Sequence, residues 1–198
     1  MARIKTIARE DLGEFAETFE RLEAASGYIP NSLLTMAHRP KLLATFLPLA
    51  FEVLAGETSL PPGLRNLVAN VASRAAGCLY CIAHTAESSA KAGIESDKIA
   101  AAFEYETSPL FSEAERAALT LAQSAASVPN MASDGDFDSL RQHYSEEQIV
   151  EIMGVISLFG FLNRWNDSIG TDLEDHPRSF AEDTIAASGW TAGKHGAG

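Results

Sequence analysis

An all-α fold is predicted by three features of the 198-residue sequence: apolar residues recur at helical spacing almost throughout, alternating β-branched runs are nearly absent, and no Asn-Gly hairpin signal occurs. With 46% hydrophobic residues the chain can bury one core. A single-domain helical bundle over 1–188 is therefore expected, followed by a flexible Gly-rich tail at 189–198. The formal charge of −12 and the lack of any basic patch exclude nucleic acid and anionic membrane surfaces as partners. No basic-then-apolar leader is present, and no apolar run approaches the roughly 18 residues of a membrane span. A cytoplasmic location is expected.

The first helix is predicted from about Asp11 to Ala25, with Leu12, Phe15, Phe19 and Leu22 on one face, and Ser26-Gly27 ends it. Tyr28-Ile29-Pro30-Asn31 turns the chain into a short helix with Leu33, Leu34 and Met36; His38-Arg39-Pro40 breaks it before a helix over Lys41 to Leu54. After a Gly56-to-Pro62 loop, Pro61 and Pro62 suit the first turn of a helix through Arg74, which hands over at Gly77 to a helix ending near Gly93. Ser96 or Asp97 caps a helix to Tyr105, and the Ser112/Glu115 capping box opens one to Ala126. A loop from Val128 to Gly135 leads to a helix from about Phe137 to His143. Ser145 with Gln148 then opens the most hydrophobic helix, through Ile169, and the chain from Ala181 is partly helical. The faces Phe46 to Leu54 and Val155 to Phe161 carry more apolar surface than one small bundle buries, which predicts self-association.

Chemistry concentrates in Gly77-Cys78-Leu79-Tyr80-Cys81-Ile82-Ala83-His84-Thr85, which holds both cysteines as C-x-x-C with a histidine three residues on. Cys78 is placed at the start of a helix, where unpaired N–H groups and the helix dipole lower a thiol pKa. Positions three apart on a helix lie roughly 5 to 6 Å apart, within disulfide range. In a reducing compartment such a pair is catalytic or metal-binding rather than a staple. No metal is expected: Cys78, Cys81 and His84 climb about 9 Å of helix and fan around its axis, whereas zinc draws its ligands to about 2.0 to 2.3 Å. No other cofactor is implied. Tyr80 is expected on another helix face, Glu87 in solvent or orienting His84, and Asn163, Arg164 and Asp167 in structural pairs or a subunit contact. His38, His143, His176 and His195 are expected in solvent.

Four stretches together resemble the carboxymuconolactone decarboxylase superfamily, in its alkylhydroperoxidase D-like, peroxidase-related branch. They are Gly27-Tyr28-Ile29-Pro30-Asn31, Leu60-Pro61-Pro62, the Gly77-to-Thr85 dithiol segment, and Gly160-Phe161-Leu162-Asn163-Arg164-Trp165-Asn166-Asp167. The resemblance implies an all-helical fold assembled as trimers or hexamers. It also implies a peroxidase motif, E-x11-C-x2-C-x3-H, in which the second cysteine attacks peroxide, the first resolves it as a disulfide, and Glu and His relay the proton. Cys81 and Cys78 match. Asn66 stands where the motif has Glu, Thr85 where it has His, and His84 lies one position early. An amide cannot exchange a proton near neutral pH.

The expected function is a thiol peroxidase cycling between a Cys78/Cys81 dithiol and its disulfide, with His84 catalytic and Asn66, Thr85 and Glu87 supporting. Its partners are a hydroperoxide and a dithiol or protein reductant. The alternatives are a decarboxylase-like lyase, for which Arg65, Arg74 or Arg164 would hold a dicarboxylate, and a non-catalytic oligomeric member of the superfamily.

Overall fold

The protein is described by a computed structural model over residues 2–196. Among the described residues all regular structure is helical. Ten α-helices follow one another there: α1 (Ala16–Ser26), α2 (Asn31–Met36), α3 (Pro40–Ala55), α4 (Leu64–Ala75), α5 (Leu79–Lys91), α6 (Ser96–Ala100), α7 (Glu113–Ala126), α8 (Asp134–Leu140), α9 (Glu146–Ile169) and α10 (Asp175–Thr184). Short 3₁₀ turns precede α1 at Arg9–Asp11 and Gly13–Phe15, so the expected first helix begins five residues late. No helix of the described residues is long and apolar enough to cross a membrane.

Capping chemistry sets most boundaries. Ser112/Glu115 and Ser145/Gln148 form the capping boxes the sequence predicts. A third, Ser133/Asp136, starts α8 three residues before the expected Phe137, because a short Asp side chain reaches back as Glu or Gln would. Pro61 and Pro62 do not enter the first turn of α4; they form the preceding turn, and the helix starts after Gly63. The last helix begins at Asp175, earlier than Ala181, with Pro177 accommodated where a missing N–H removes no helical bond.

α4 packs on α5, α7 and α9 and forms the centre of the main core, with Leu64, Leu67, Val68 and Leu119, Leu121, Ile152 and Val155 all buried. A second core joins α1, α2 and α3 to α9 through Phe19, Leu33, Met36, Leu43, Phe46 and Leu158. Val53 and Leu162 pack against both, so the two cores meet along α3 and α9. The apolar faces expected on α3 and α9 are only partly exposed. Phe46, Leu47, Val155, Ile156, Leu158 and Phe159 are buried, whereas Leu49, Phe51, Leu54 and Phe161 face outward.

The segment expected to be a flexible tail is docked up to Gly196; Ala197 and Gly198 lie outside the described residues. Trp190 is buried and its Nε1–H donates to the Leu79 carbonyl at 3.0 Å, while the Leu173 N–H donates to the His195 carbonyl at 2.8 Å. Glycine here serves close approach: a Cβ at Gly193 would come within 2.7 Å of Leu79 Cδ1. Trp190→Ala is expected to destabilise the fold by about 3 kcal/mol, as burial of a large aromatic is lost. A thermal or denaturant midpoint unchanged by that substitution would refute the docking.

Candidate active site

α4 ends at Ala75, and Gly77, at a φ of +75°, turns the chain directly into α5. Cys78 is the N-cap of α5, and its sulfur accepts the Cys81 N–H at 3.4 Å. Both thiols are free and buried. The Cys81 S–H hydrogen bond, joined by backbone N–H donors, holds the Cys78 thiol below its ordinary value despite burial. Burial, and then the neighbouring Cys78, push Cys81 well up. Cys78 is therefore the more acidic thiol of the reduced pair, and Cys81 the one that holds its proton more tightly. Asn166 of α9 donates Nδ2–H to the Cys81 sulfur at 3.5 Å and is itself anchored by Thr171 Oγ1 at 2.9 Å.

Cys81, and not Cys78, borders a cavity of about 370 Å³ between the two cores. Its walls are largely apolar, with Leu33, Phe46, Leu47, Phe51 and Phe159 among them, and its polar edge is His84, Asn66, Thr85 and Asn166. A larger groove of about 760 Å³ along α9 contains no thiol, carboxylate or imidazole and is not the site of this chemistry.

His84 is held at both ring nitrogens. Nε2 lies 2.6 Å from Glu174 Oε2, and Nδ1 lies 3.2 Å from the Tyr28 hydroxyl, whose own proton goes to Glu87 Oε2 at 2.8 Å. Glu87 is buried and pairs with Lys91 at 2.9 Å, contrary to the expected solvated side chain, and it reaches His84 only through Tyr28. Tyr80 does not point away: its ring packs 4.3 Å from that of His84, and its hydroxyl donates to Glu174 Oε1 at 2.8 Å. Burial alone would raise the Glu174 carboxyl, but His84 and the Asn31 N–H hold it below its ordinary value. Burial and the facing Glu87 push Tyr28 up and burial and Glu174 do the same to Tyr80, so both hydroxyls stay protonated donors.

Asn66 and Thr85 border the cavity, but both secure α5. Asn66 Nδ2–H donates to the Ser88 carbonyl at 3.2 Å; the Thr85 hydroxyl lies 2.7 Å from the Cys81 carbonyl and accepts from Asn70 at 2.9 Å. The carboxylate beside His84 is Glu174, from the loop before α10. Tyr28 lay in a stretch that carried the family resemblance, a usable signal. Glu174, in the run Asp172-Leu173-Glu174-Asp175, looks like any solvated acidic loop. His195 is wholly buried rather than in solvent. Among the described residues, the metal-capable side chains that converge are Cys78, Asp167 and His195, with atoms within 4.8 Å of one another. Asp167 also pairs with Lys194 at 2.8 Å, and Asn163 has no hydrogen-bond partner among the described residues.

Residues 40–124 match the model of the carboxymuconolactone decarboxylase family. The debrominase Bmp8, solved with 2,3,4-tribromopyrrole bound to a variant with one cysteine replaced by alanine, is 34% identical, with a TM-score of 0.84 covering 91% of this chain and 96% of that one. A peroxidase-related protein from Ralstonia eutropha JMP134, described as an alkylhydroperoxidase AhpD core, is 24% identical with a TM-score of 0.77, covering 91% and 95% of the two chains. The chain carries a carboxymuconolactone decarboxylase family segment and has the fold of the AhpD core protein. It is also 30% identical to the uncharacterized protein YnjA of Escherichia coli over 110 residues, a match spanning 56% of this chain and 60% of YnjA. The superfamily segment at 40–124 contains α3, α4, Cys78, Cys81 and His84, whereas Tyr28, Glu174 and His195 lie outside it.

Proposed function

We propose that the protein is a dithiol oxidoreductase that reduces apolar hydroperoxides. The observation that carries this reading is the placement of Cys81, alone of the two sulfurs, on the wall of an apolar cavity, with its partner thiol behind it on the same helix turn. Cys78 takes the Cys81 proton, and the Cys81 thiolate attacks the outer peroxide oxygen. The O–O bond breaks, a sulfenic acid forms on Cys81, and the leaving alkoxide takes a proton to become the alcohol. Cys78 then attacks the sulfenic sulfur, giving the disulfide and releasing water. The net change is two thiols and one hydroperoxide to one disulfide, one alcohol and one water. His84, fed by Glu174 on one side and by Tyr28 and Glu87 on the other, stands at the cavity edge as the proton donor to the leaving oxygen.

The Bmp8 likeness favours a second reading with the same dithiol, reductive removal of halogen from an aromatic ring. Two thiols and an aryl bromide would give a disulfide, the hydrogen-bearing ring, bromide and a proton; the three phenylalanines of the cavity suit such a ring. The lyase reading lacks support. Arg65 is engaged by the Val53 and Gly56 carbonyls, Arg164 by that of Gly160, and Arg74 stacks on Phe103, so none borders the cavity to hold a dicarboxylate.

Fully reduced protein mixed with cumene hydroperoxide, hydrogen peroxide or a brominated pyrrole separates these readings. Loss of both thiols and about 2 Da, faster with the cumyl peroxide than with hydrogen peroxide, is expected. Oxidation no faster than that of free cysteine with all three would overturn the oxidoreductase reading, and bromide release alone would select the second.

A further inference from the structure

The docked C-terminal segment brings a completely buried imidazole to the back of the dithiol. His195 Nδ1–H donates to the Thr171 carbonyl at 2.8 Å, which fixes the tautomer and leaves the lone pair on Nε2. Among the described residues Nε2 has no hydrogen-bond partner; it faces Asp167 Oδ1 at 3.8 Å, and the ring lies with Asp167 and the Cys78 sulfur in a group spanning no more than 4.8 Å. A lone pair facing a carboxylate is unfavourable, and a proton on Nε2 removes the conflict. Resting on the dithiol reading, we infer that His195 is the proton acceptor of Cys78 and that Asp167 connects it to solvent.

The chemistry requires such an acceptor. Once Cys78 has taken the Cys81 proton it must lose it again before it can attack the sulfenic sulfur, yet its sulfur is wholly buried and does not border the cavity. In the step assigned here the Cys78 S–H bond breaks and an N–H bond forms at Nε2. The electron pair left on sulfur then forms the S–S bond as the Cys81 S–O bond breaks, and the departing hydroxide takes a proton in the cavity. The proton on His195 leaves through Asp167, whose side chain is 38% exposed.

The surroundings fit a proton shuttle better than a cation site. The groups facing the imidazole are Cys78 and the Tyr80 ring of α5, the latter 5.9 Å away with its hydroxyl engaged by Glu174, Asp167 of α9, and Lys194 of its own segment. Thiol, neutral imidazole, carboxylate and ammonium sum to zero charge, as do thiolate, imidazolium, carboxylate and ammonium, so the transfer leaves the cluster neutral. The Asp167 oxygen facing His195 already bonds the Lys194 ammonium at 2.8 Å, which opposes a divalent cation there. Burial holds His195 below its ordinary value, which favours the neutral ring, and the Thr171 carbonyl and Asp167 oppose that shift.

The experiment titrates Cys78 by thiolate absorbance in the Cys81→Ser protein, with and without His195→Gln, while Trp fluorescence reports whether Trp190 stays docked. The expected result is a midpoint raised by about one pH unit in the His195→Gln protein with the tail in place. A second readout leaves residue 195 intact: the His195 ring resonances are titrated in Cys81→Ser and in Cys78→Ser/Cys81→Ser proteins. The ring is expected to hold its proton to higher pH when Cys78 is present. An unchanged Cys78 midpoint with the tail docked, a His195 titration indifferent to Cys78, or one chelator-removable zinc per chain that disappears in His195→Gln would each overturn the inference. Neither readout involves turnover, so shifted titrations in a protein inert to hydroperoxides and to the brominated pyrrole would sink the oxidoreductase reading and leave the Cys78–His195 pair standing.

Discussion

Cys81→Ser is expected to reduce hydroperoxide consumption at least about 1,000-fold, because it removes the one sulfur that borders the cavity. The remaining thiol, Cys78, is buried behind the helix turn and cannot substitute for it. Cys78→Ser should behave differently. The first step proceeds more slowly, its base gone, the remaining thiol is consumed, and mass rises by about 16 Da as the Cys81 sulfenic acid accumulates without a partner. A sulfenic acid formed on Cys78 in the Cys81→Ser protein would reverse the assigned roles. The roles rest on access rather than acidity: Cys78 is the more acidic thiol, but its lowered value makes it the base that frees Cys81 and then the attacker in the second step.

Glu174→Gln is the second large effect. Glu174 accepts from His84, from the Tyr80 hydroxyl and from the Asn31 N–H, so one side chain ties α2, α5 and the loop before α10 together. An amide nitrogen in place of one oxygen turns an acceptor into a donor against one of these groups. A loss of about 2 kcal/mol in stability and about 100-fold in turnover is expected. The sign with pH follows from the folded carboxyl lying below its ordinary 4.5. Its stabilisation is complete above that value and is lost as pH falls through the lower folded one. Thermal midpoints measured from pH 7 to 3 should show a smaller acid-dependent drop in Glu174→Gln than in the unaltered protein. Parallel curves would show that Glu174 is not held by His84.

What could be read from the chain was whatever lies within a few residues along it. Cys78, Cys81 and His84 sit on successive turns of one helix, so their association follows from spacing alone, and the capping boxes at Ser112 and Ser145 are equally local. The network around His84 is not local. Glu174 is separated from it by 90 residues, and the Tyr28 hydroxyl by 56. Asn66 carries no titratable proton at the position of the motif's Glu, and the carboxylate that does face His84 comes from a distant loop that motif spacing does not reach. Tyr80 was assigned to the wrong side because helical phase predicts direction only. It cannot show that the loop before α10 and the docked tail cover that side too. The glycines after Trp190 suggest freedom in isolation; beside Leu79 one of them instead allows contact.

The capping role of Cys78 links the state of the dithiol to the integrity of the helix that carries it. In the reduced protein an electron-rich sulfur receives the Cys81 N–H and satisfies one of the open donors at the start of α5. In the disulfide that sulfur is neutral and a weaker acceptor, and the bond between Cys78 and Cys81 takes over as the tie across the first turn of α5. On the dithiol reading, oxidation would exchange a hydrogen-bonded cap for a covalent one at the end of the helix nearest the cavity. A reductant would then meet the disulfide through Cys81, the sulfur on the cavity wall, and reduction would return the turn to its hydrogen-bonded cap.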